Sequence, residues 1–165
     1  MDVDHFVFIS IGSNMGDKIA VCEKAVEHID SSLNMSLLAV SKYYKTEPVD
    51  YLDQDWFVNL AVKIKTDISP ENLLQQLKNI EKLLGTQKKY IRFGPRILDL
   101  DIIFYDNIII DTENIQIPHP RMHKRRFVLK PISDIEPDFI HPIIKISVKK
   151  LLYGLDKNIQ KVLVI

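Results

Sequence analysis

The chain has 165 residues, 46% of them hydrophobic and 27% charged, which suits one domain with a buried core (1–165) and is short for two. Its zero formal net charge disfavours non-specific attraction to nucleic acid or membranes, and its single cysteine, Cys22, excludes an internal disulfide. The N-terminus is acidic and no apolar run approaches the ~20 residues of a membrane span, so we expect a cytoplasmic protein.

The first part of the chain predicts a strand, a helix and a second strand. Residues 6–11 form an apolar run that ends in the turn Gly12-Ser13-Asn14, and Asp17 can cap a helix over 17–30. A strand over 35–44 follows. The apolar face of the helix is predicted to consist of Ile19, Cys22, Val26 and Ile29.

A polar, proline-broken loop over 46–55 leads into a strand over 56–65. Long loops of this kind often act as lids. The less apolar face of the strand begins with Phe57 and Asn59. These could be ordinary surface residues, or a ring to stack on and a donor–acceptor pair for the edge of a heterocycle. The strand alone leaves both interpretations open.

Residues 70–84 predict a second helix, since Ser69 and Pro70 are typical of a helix start and Gly85 of a helix end. Its buried stripe is Leu73, Leu74, Leu77, Ile80 and Leu84, with Glu81 beside it. A second long loop over 86–95 follows. Four cations lie in or directly after this loop: Lys88, Lys89, Arg92 and Arg96.

Two carboxylates alternate with aliphatic residues on a predicted strand over 97–105. Asp99 and Asp101 are two apart and therefore share a face, while the opposite face, with Leu98, Leu100, Ile102 and Phe104, is the predicted core side. Adjacent carboxylates repel unless a cation lies between them, and oxygen ligands suit Mg2+ held together with a phosphate chain. The alternative is a half-exposed edge strand with two solvated acids.

The last third contains a short returning strand at 108–110, a rigid loop at 117–121 and a turn-rich stretch over 131–142. A basic cluster is formed by Arg121, His123, Lys124, Arg125 and Arg126. Such a cluster is typical of a solvated helix face or a nucleic-acid patch. In a chain without net charge, a nucleotide phosphate is an equally good ligand.

The predicted order β-α-β-β-α-β is that of an α+β, ferredoxin-like sandwich with extra C-terminal elements. The fold alone does not name a function. One rival is an RNA-recognition module, which stacks bases on an open sheet face. Asp99 and Asp101 on that face would repel a nucleic-acid backbone.

With these residues placed, the chain resembles the 6-hydroxymethyl-7,8-dihydropterin pyrophosphokinases of folate biosynthesis, over roughly residues 6–142. Three blocks carry the resemblance: Gly12-Ser13-Asn14, the segment from Arg92 to Asp101 (RFGPRILDLD), and Pro118-His119-Pro120-Arg121-Met122 with Phe127-Val128-Leu129 and Pro131. The resemblance implies transfer of pyrophosphate from ATP to the hydroxymethyl oxygen of the dihydropterin, with release of AMP. It also implies two Mg2+ ions and a monomeric ferredoxin-like domain.

The resemblance assigns roles by position. Asp99 and Asp101 match the metal-bridging aspartates and, with Arg96, the catalytic residues. The pterin site matches Thr46, Val49, Phe57, Asn59, Phe93 and Phe127. The nucleotide and phosphate contacts match Glu81, Lys88, Arg96, Ile102, His119 and Arg125.

Three positions depart from the family's usual pattern. Thr86 stands where a catalytic arginine usually follows the second helix, Glu47 stands for a proline, and Phe93 stands for a loop tryptophan. Phenylalanine still stacks. The missing arginine leaves open an alternative, a slow or non-catalytic relative that binds pterin and nucleotide.

Restoring the arginine is expected to speed the chemical step. Thr86→Arg should raise the single-turnover rate of AMP formation about 10-fold, because a guanidinium offers a planar bidentate fork to phosphate oxygens that lysine lacks. Thr86→Lys is the matched control for charge alone. An unchanged or lower rate in Thr86→Arg would show that Lys88, Lys89 or another group already supplies the missing charge.

Overall fold

The computed structural model of the chain describes residues 3–85 and 92–165. The elements in chain order are β1 (His5–Ser13), α1 (Lys18–Asp30), β2 (Met35–Val40), β3 (Tyr44–Thr46), β4 (Phe57–Thr66), α2 (Pro70–Leu83), β5 (Asp99–Tyr105), β6 (Ile110–Asp111), β7 (Gln116–Ile117), a 3-10 turn (Met122–Lys124), α3 (Arg126–Ile135), α4 (Val148–Gly154) and β8 (Val162–Val164). Within those residues, no helix is both long and apolar enough to cross a bilayer.

The strands form an antiparallel sheet in the order β5-β1-β4-β3-β8, and β2 also pairs with β4. The apolar stripes of α1 and α2 pack on one face, against inward-facing residues such as Ile9, Leu60 and Leu100. On the other face, α3 and α4 contribute to a second buried cluster that contains Phe8, Ala61 and Phe104. The expected class, a mixed fold with an antiparallel sheet and helices, is therefore confirmed.

The two predicted helices are confirmed, together with their caps. Asp17 accepts a hydrogen bond from the N–H of Ala20 at the start of α1, and Ser69 accepts one from the N–H of Asn72 at the start of α2. Cys22 is fully buried, and burial raises the pKa of its thiol to about 12, which suits a core residue. Ile19 was predicted to be buried but is 45% exposed, because the inward stripe of α1 is Cys22, Ala25 and Ile29.

The strand predicted over 35–44 is two strands, β2 and β3. The break lies at Ser41, whose N–H donates to the carbonyl of Ala61 and whose hydroxyl accepts from the N–H of Ala61, at 2.9 and 2.8 Å. A side-chain oxygen thus replaces a backbone acceptor, so the regular ladder is interrupted at this point.

A β-bulge in β5 overturns one predicted face. Phe8 pairs with Phe104 but Ile9 pairs with Ile102, which leaves Ile103 as an extra residue in the ladder. The alternation of faces shifts there, so Phe104 lies in the second cluster with Ile103 and not with Leu100. Asp99 and Asp101 precede the bulge and keep their shared face.

The stretch over 131–142 is not all turn, as the sequence predicted, because α3 runs through Pro131. A proline inside a helix removes one backbone hydrogen bond. Burial of Val128, Leu129 and Ile132 against the sheet outweighs that loss.

Helices α3 and α4 cover the second face of the sheet around Phe8, Ala61 and Phe104. Farther along the same strands, Gly12, Asn59 and Asp99 line a cavity instead. The sequence did not decide whether the face of β4 with Phe57 and Asn59 is ordinary surface or a ligand site. In the structure, one end of this face is buried core and the other end lines a cavity.

Candidate active site

A cleft of about 570 Å³, including its open mouth, lies over this end of the sheet. Strands β1, β3, β4 and β5 form its floor, and the loops after β3 and before β5 form its sides together with the start of α3. The residues that line it are Ser10, Gly12, Thr46, Glu47, Val49, Asp50, Phe57, Asn59, Phe93, Arg96, Asp99, Asp101, Arg125, Phe127 and Gln160.

The strand register places residues of β4, β1 and β5 side by side on the floor of the cleft. Gly12 of β1 pairs with Asn59 of β4 on one side and with Asp99 of β5 on the other, and Ser10 pairs with Asp101. With strands about 4.8 Å apart, the backbones at Asn59 and Asp99 are separated by about 10 Å. Because Gly12 has no side chain, the Asn59 amide can lie directly over the backbone of β1.

Asn59 is held in a fixed orientation. The hydroxyl of Thr46 donates to its Oδ1 at 2.7 Å, and its Nδ2 lies 3.5 Å from the carbonyl of Ile11. A Cβ added at Gly12 would lie 2.6 Å from that Nδ2, a distance that real side chains do not reach. Any other residue at position 12 would push the Asn59 amide out of its observed position.

Gly12→Ala is expected to weaken binding of a heterocyclic ligand about 10-fold or more, because the new methyl group displaces the Asn59 amide and fills the floor. Ligand titration followed by intrinsic fluorescence measures the change. Gly154→Ala is the matched control, since a Cβ there meets nothing within 4 Å. Equal affinities of the two variants would contradict the assigned role of the floor.

Asp99 and Asp101 line the opposite end of the cleft, next to Arg96. Arg96 Nη1 donates to Asp99 Oδ2 at 2.9 Å, and the Arg96 backbone N–H donates to Asn14 Oδ1 at the same distance. The arginine is thus fixed both by its side chain and by its backbone.

The carboxylate pair fits a hard cation that also binds a ligand. Among residues 3–85 and 92–165, no three His, Cys, Asp or Glu side chains group into a metal site. Two carboxylates leave most of the coordination shell to phosphate oxygens and water, which is how Mg2+ is commonly held.

Arginines surround Phe93 at the mouth of the cleft. The guanidinium carbons of Arg121, Arg92 and Arg125 lie 4.4, 5.0 and 5.9 Å from the centre of its ring. Arg125 also lies 3.6 Å from Asp50. Burial and Arg121 lower the pKa of Arg125, while Asp50, Asp101 and Asp99 act in the opposite direction. Three guanidinium groups around one ring, with Arg125 largely shielded from solvent, favour an anionic ligand at this mouth.

His119 is neutral at physiological pH. Burial, followed by the charges of Arg125 and Arg121, lowers its pKa to about 4. Its Nδ1 accepts a hydrogen bond from the backbone N–H of Arg121 at 3.2 Å, which leaves Nε2 as the protonated nitrogen.

Protonation of His119 is expected to destabilise the fold in acid. The unfolded chain binds a proton below a pKa of about 6.5 and the folded chain only near 4, so stability is lost as the pH falls between these values. His119→Gln should remove this component, up to about 1.4 kcal/mol per pH unit. Free energies of unfolding measured between pH 7.5 and 4.5 test it, and parallel curves for the two proteins would contradict it.

One carboxamide joins the two loops that border the cleft. Gln54 Oε1 accepts from Asn14 Nδ2 at 2.9 Å, and Gln54 Nε2 donates to the carbonyls of Tyr51 and Phe93 at 2.7 and 2.9 Å. The turn after β1, the loop after β3 and the loop before β5 therefore meet at a single side chain.

Most of the predicted site residues lie together. Ten of them line the cleft: Thr46, Val49, Phe57, Asn59, Phe93, Arg96, Asp99, Asp101, Arg125 and Phe127. Glu81, Ile102 and His119 do not line it; Glu81 is buried and accepts a hydrogen bond from the N–H of Leu100 at 2.8 Å. Lys88 and Thr86 lie outside the described residues. The residues of the predicted basic cluster do not all lie at the cleft: Arg125 lines it, whereas His123 packs near His141.

Some residues that line or border the cleft were not found from the sequence. Alternation along β1 places Ser10 on the same face as Gly12, which could have identified it. Gln54 and Gln160 gave no comparable signal, because their contacts depend on how distant segments meet.

Comparisons with known proteins identify the family of the chain. A family model described as 7,8-dihydro-6-hydroxymethylpterin-pyrophosphokinase (HPPK) matches residues 8–137. The 2-amino-4-hydroxy-6-hydroxymethyldihydropteridine pyrophosphokinase of Bacillus subtilis is 40% identical over 133 residues, which cover 81% of this chain and 79% of that protein. The structure of wild-type HPPK-DHPS from Plasmodium falciparum superimposes with a TM-score of 0.76 at 15% identity, over 93% of this chain and 45% of that one.

Some relatives are much longer. The folic acid synthesis protein FOL1 of Dictyostelium discoideum is 38% identical over 152 residues, and the match covers 92% of this chain but only 23% of that protein. For the corresponding Pneumocystis carinii protein the share is 19%. The Plasmodium likeness supports the fold alone. Because the family model and the Bacillus relative both match most of its length, the chain belongs to the 7,8-dihydro-6-hydroxymethylpterin-pyrophosphokinase family.

Proposed function

We propose that this chain transfers pyrophosphate from ATP to the hydroxymethyl group of 6-hydroxymethyl-7,8-dihydropterin, in folate biosynthesis. The hydroxymethyl oxygen attacks the β-phosphorus, the bond from that phosphorus to the oxygen shared with the α-phosphate breaks, and AMP leaves. The hydroxyl proton is lost to solvent. One observation carries the proposal: a single cleft joins an amide–aromatic pocket to a carboxylate pair, in a chain of this family.

The amide end of the cleft suits the pterin ring. Asn59 offers a donor and an acceptor in one plane, and Thr46 keeps that plane fixed. Phe57 and Phe127 add flat apolar surfaces to the same cavity. Val49 and Phe93 line its sides and would cover the ring when the loops close.

The arginine end suits the phosphates. Arg96 and Arg125 line the cleft and can neutralise charge on the transferred and leaving groups. Arg121, which contacts the ring of Phe93, and neutral His119, whose Nε2–H can donate, border this end. Catalysis here is mainly positioning and charge stabilisation, as is usual for phosphoryl transfer.

We assign Mg2+ binding to Asp99 and Asp101, as the family resemblance implies for two ions. When bound, the metal would neutralise phosphate charge and lower the pKa of the attacking hydroxyl. The hydrogen bond from Arg96 holds the Asp99 carboxylate in place. The Gln54 bridge between the two loops would help to exclude water, which would otherwise hydrolyse ATP.

The rival RNA-recognition function needs an open sheet face. Here α3 and α4 cover the part of that face around Ala61 and Phe104, and the part that forms the cleft carries Asp99 and Asp101. The slow-enzyme alternative rests on Thr86 alone, and the Thr86→Arg experiment addresses it.

We also propose the ferredoxin-like class and a monomeric state. The ferredoxin-like class is supported by the strand order β5-β1-β4, with β2 and β3 beside β4. It is also supported by the chain order, in which α1 follows β1 and α2 follows β4. Light scattering after size exclusion tests the monomeric state, and a dimer mass would contradict it.

The direct test is to incubate the protein with ATP, Mg2+ and 6-hydroxymethyl-7,8-dihydropterin. AMP and the pterin diphosphate should form in equal amounts, and neither should form when the pterin is omitted. Release of AMP without the pterin, or of ADP with it, would overturn the proposal.

A further inference from the structure

The C-terminal segment docks on the strand that carries Thr46. Strand β8 pairs antiparallel with β3, with Val162 opposite Thr46. Beyond the strand, the Glu47 N–H donates to the carbonyl of Lys161 at 3.0 Å, and the Lys161 N–H donates to Glu47 Oε2 at 2.7 Å. Proline at position 47 could make neither bond. This segment lies after residue 137, where the match to the family model ends.

Gln160, directly before these contacts, connects two walls of the cleft. Its side chain lines the cavity, although the residue is only 2% exposed. Nε2 donates to the carbonyl of Glu47 at 2.6 Å, and Oε1 accepts from the backbone N–H of Phe127 at 3.2 Å. Both halves of the carboxamide are thus bound, one to each wall.

The bond to Phe127 also completes the start of α3. The N-terminal N–H groups of a helix need acceptors, and Arg125, at the N-cap position, supplies none from its side chain. Gln160 provides an acceptor from another part of the chain. The position of Phe127 over the cleft therefore depends on a residue of the C-terminal tail.

We propose that Gln160 is a positioning residue that fixes the distance between the Thr46–Glu47 backbone and Phe127, and so sets the affinity and selectivity for a flat bicyclic heterocycle. The inference rests on the proposed function, because it takes the pterin as the ligand of these walls. The two hydrogen bonds of Gln160 go to Phe127 and Glu47, and not to the groups of the phosphate end, which are Arg96, Arg125 and the carboxylates. The effect should therefore be confined to the pterin.

The test compares Gln160→Met, which keeps the length of the side chain but removes both hydrogen bonds, with Asn158→Ala on the exposed part of the same tail. The dissociation constant of 6-hydroxymethyl-7,8-dihydropterin is measured with a non-hydrolysable ATP analogue present, and that of the analogue is measured alone. Gln160→Met should weaken pterin binding about 10-fold and raise its KM equally, with analogue affinity within twofold. Asn158→Ala should match the unmodified protein.

Each remaining outcome is decisive. Pterin affinity within twofold of the unmodified protein, or an equal loss for pterin and analogue, overturns the role of Gln160. If Gln160→Met does not fold, Gln160→Glu carries the same test, because its carboxylate still accepts from Phe127 but cannot donate to Glu47. Failure of the unmodified protein to bind the pterin at all would instead overturn the proposed function.

Discussion

Replacing Asp101 with asparagine is expected to lower kcat about 1,000-fold, with little change in fold. The substitution keeps the volume of the side chain but removes one of the two charges that line the cleft beside Arg96. Losing several kcal/mol of stabilisation of the phosphate charge corresponds to a loss of this size. Asp99→Asn should act similarly and also free Arg96, to which Asp99 is bound at 2.9 Å.

Initial rates over a Mg2+ titration, together with far-UV circular dichroism, measure this effect. Asp111→Asn is the matched control, since Asp111 is exposed on β6 and accepts a hydrogen bond from Gln116. Activity of either cleft variant within a few-fold of Asp111→Asn would rule out the metal assignment.

Asn59→Leu is expected to weaken pterin binding about 100-fold or more. When leucine replaces the amide, the polar groups of the bound pterin stay buried without hydrogen-bond partners. Unpaired buried polar groups are costly, so the affinity falls strongly. The hydroxyl of Thr46 also loses its acceptor, so a modest fall in stability should accompany the change.

The dissociation constant of the pterin, measured with a non-hydrolysable ATP analogue, reports the loss. Analogue affinity should stay near that of the unmodified protein, since Asp99 and Asp101 lie on another strand. Asn79→Leu, on the exposed side of α2, is the control substitution. Unchanged pterin affinity in Asn59→Leu would place the pterin elsewhere.

The sequence predicts well what depends on neighbouring residues. Alternation places Asp99 and Asp101 on one face, and the caps Asp17 and Ser69 mark the starts of both helices. Such features follow from local geometry, which periodicity and capping chemistry reveal directly.

Features that depend on distant contacts escape prediction. The bulge at Ile103 arises from pairing with β1, and the break at Ser41 from pairing with Ala61. Pro131 disfavours a helix in its own segment, but burial of the neighbouring apolar residues stabilises α3. Gln160 belongs to the cleft only because β8 returns to β3, which no pattern in the tail indicates.

The fate of the β-phosphorus of ATP distinguishes transfer of pyrophosphate from transfer of a single phosphoryl group and from hydrolysis. With ATP labelled at that atom, a single turnover in the presence of Mg2+ and 6-hydroxymethyl-7,8-dihydropterin should place the label in the pterin diphosphate and leave AMP unlabelled. Label retained in ADP, or released as free pyrophosphate, would contradict transfer of pyrophosphate to the pterin.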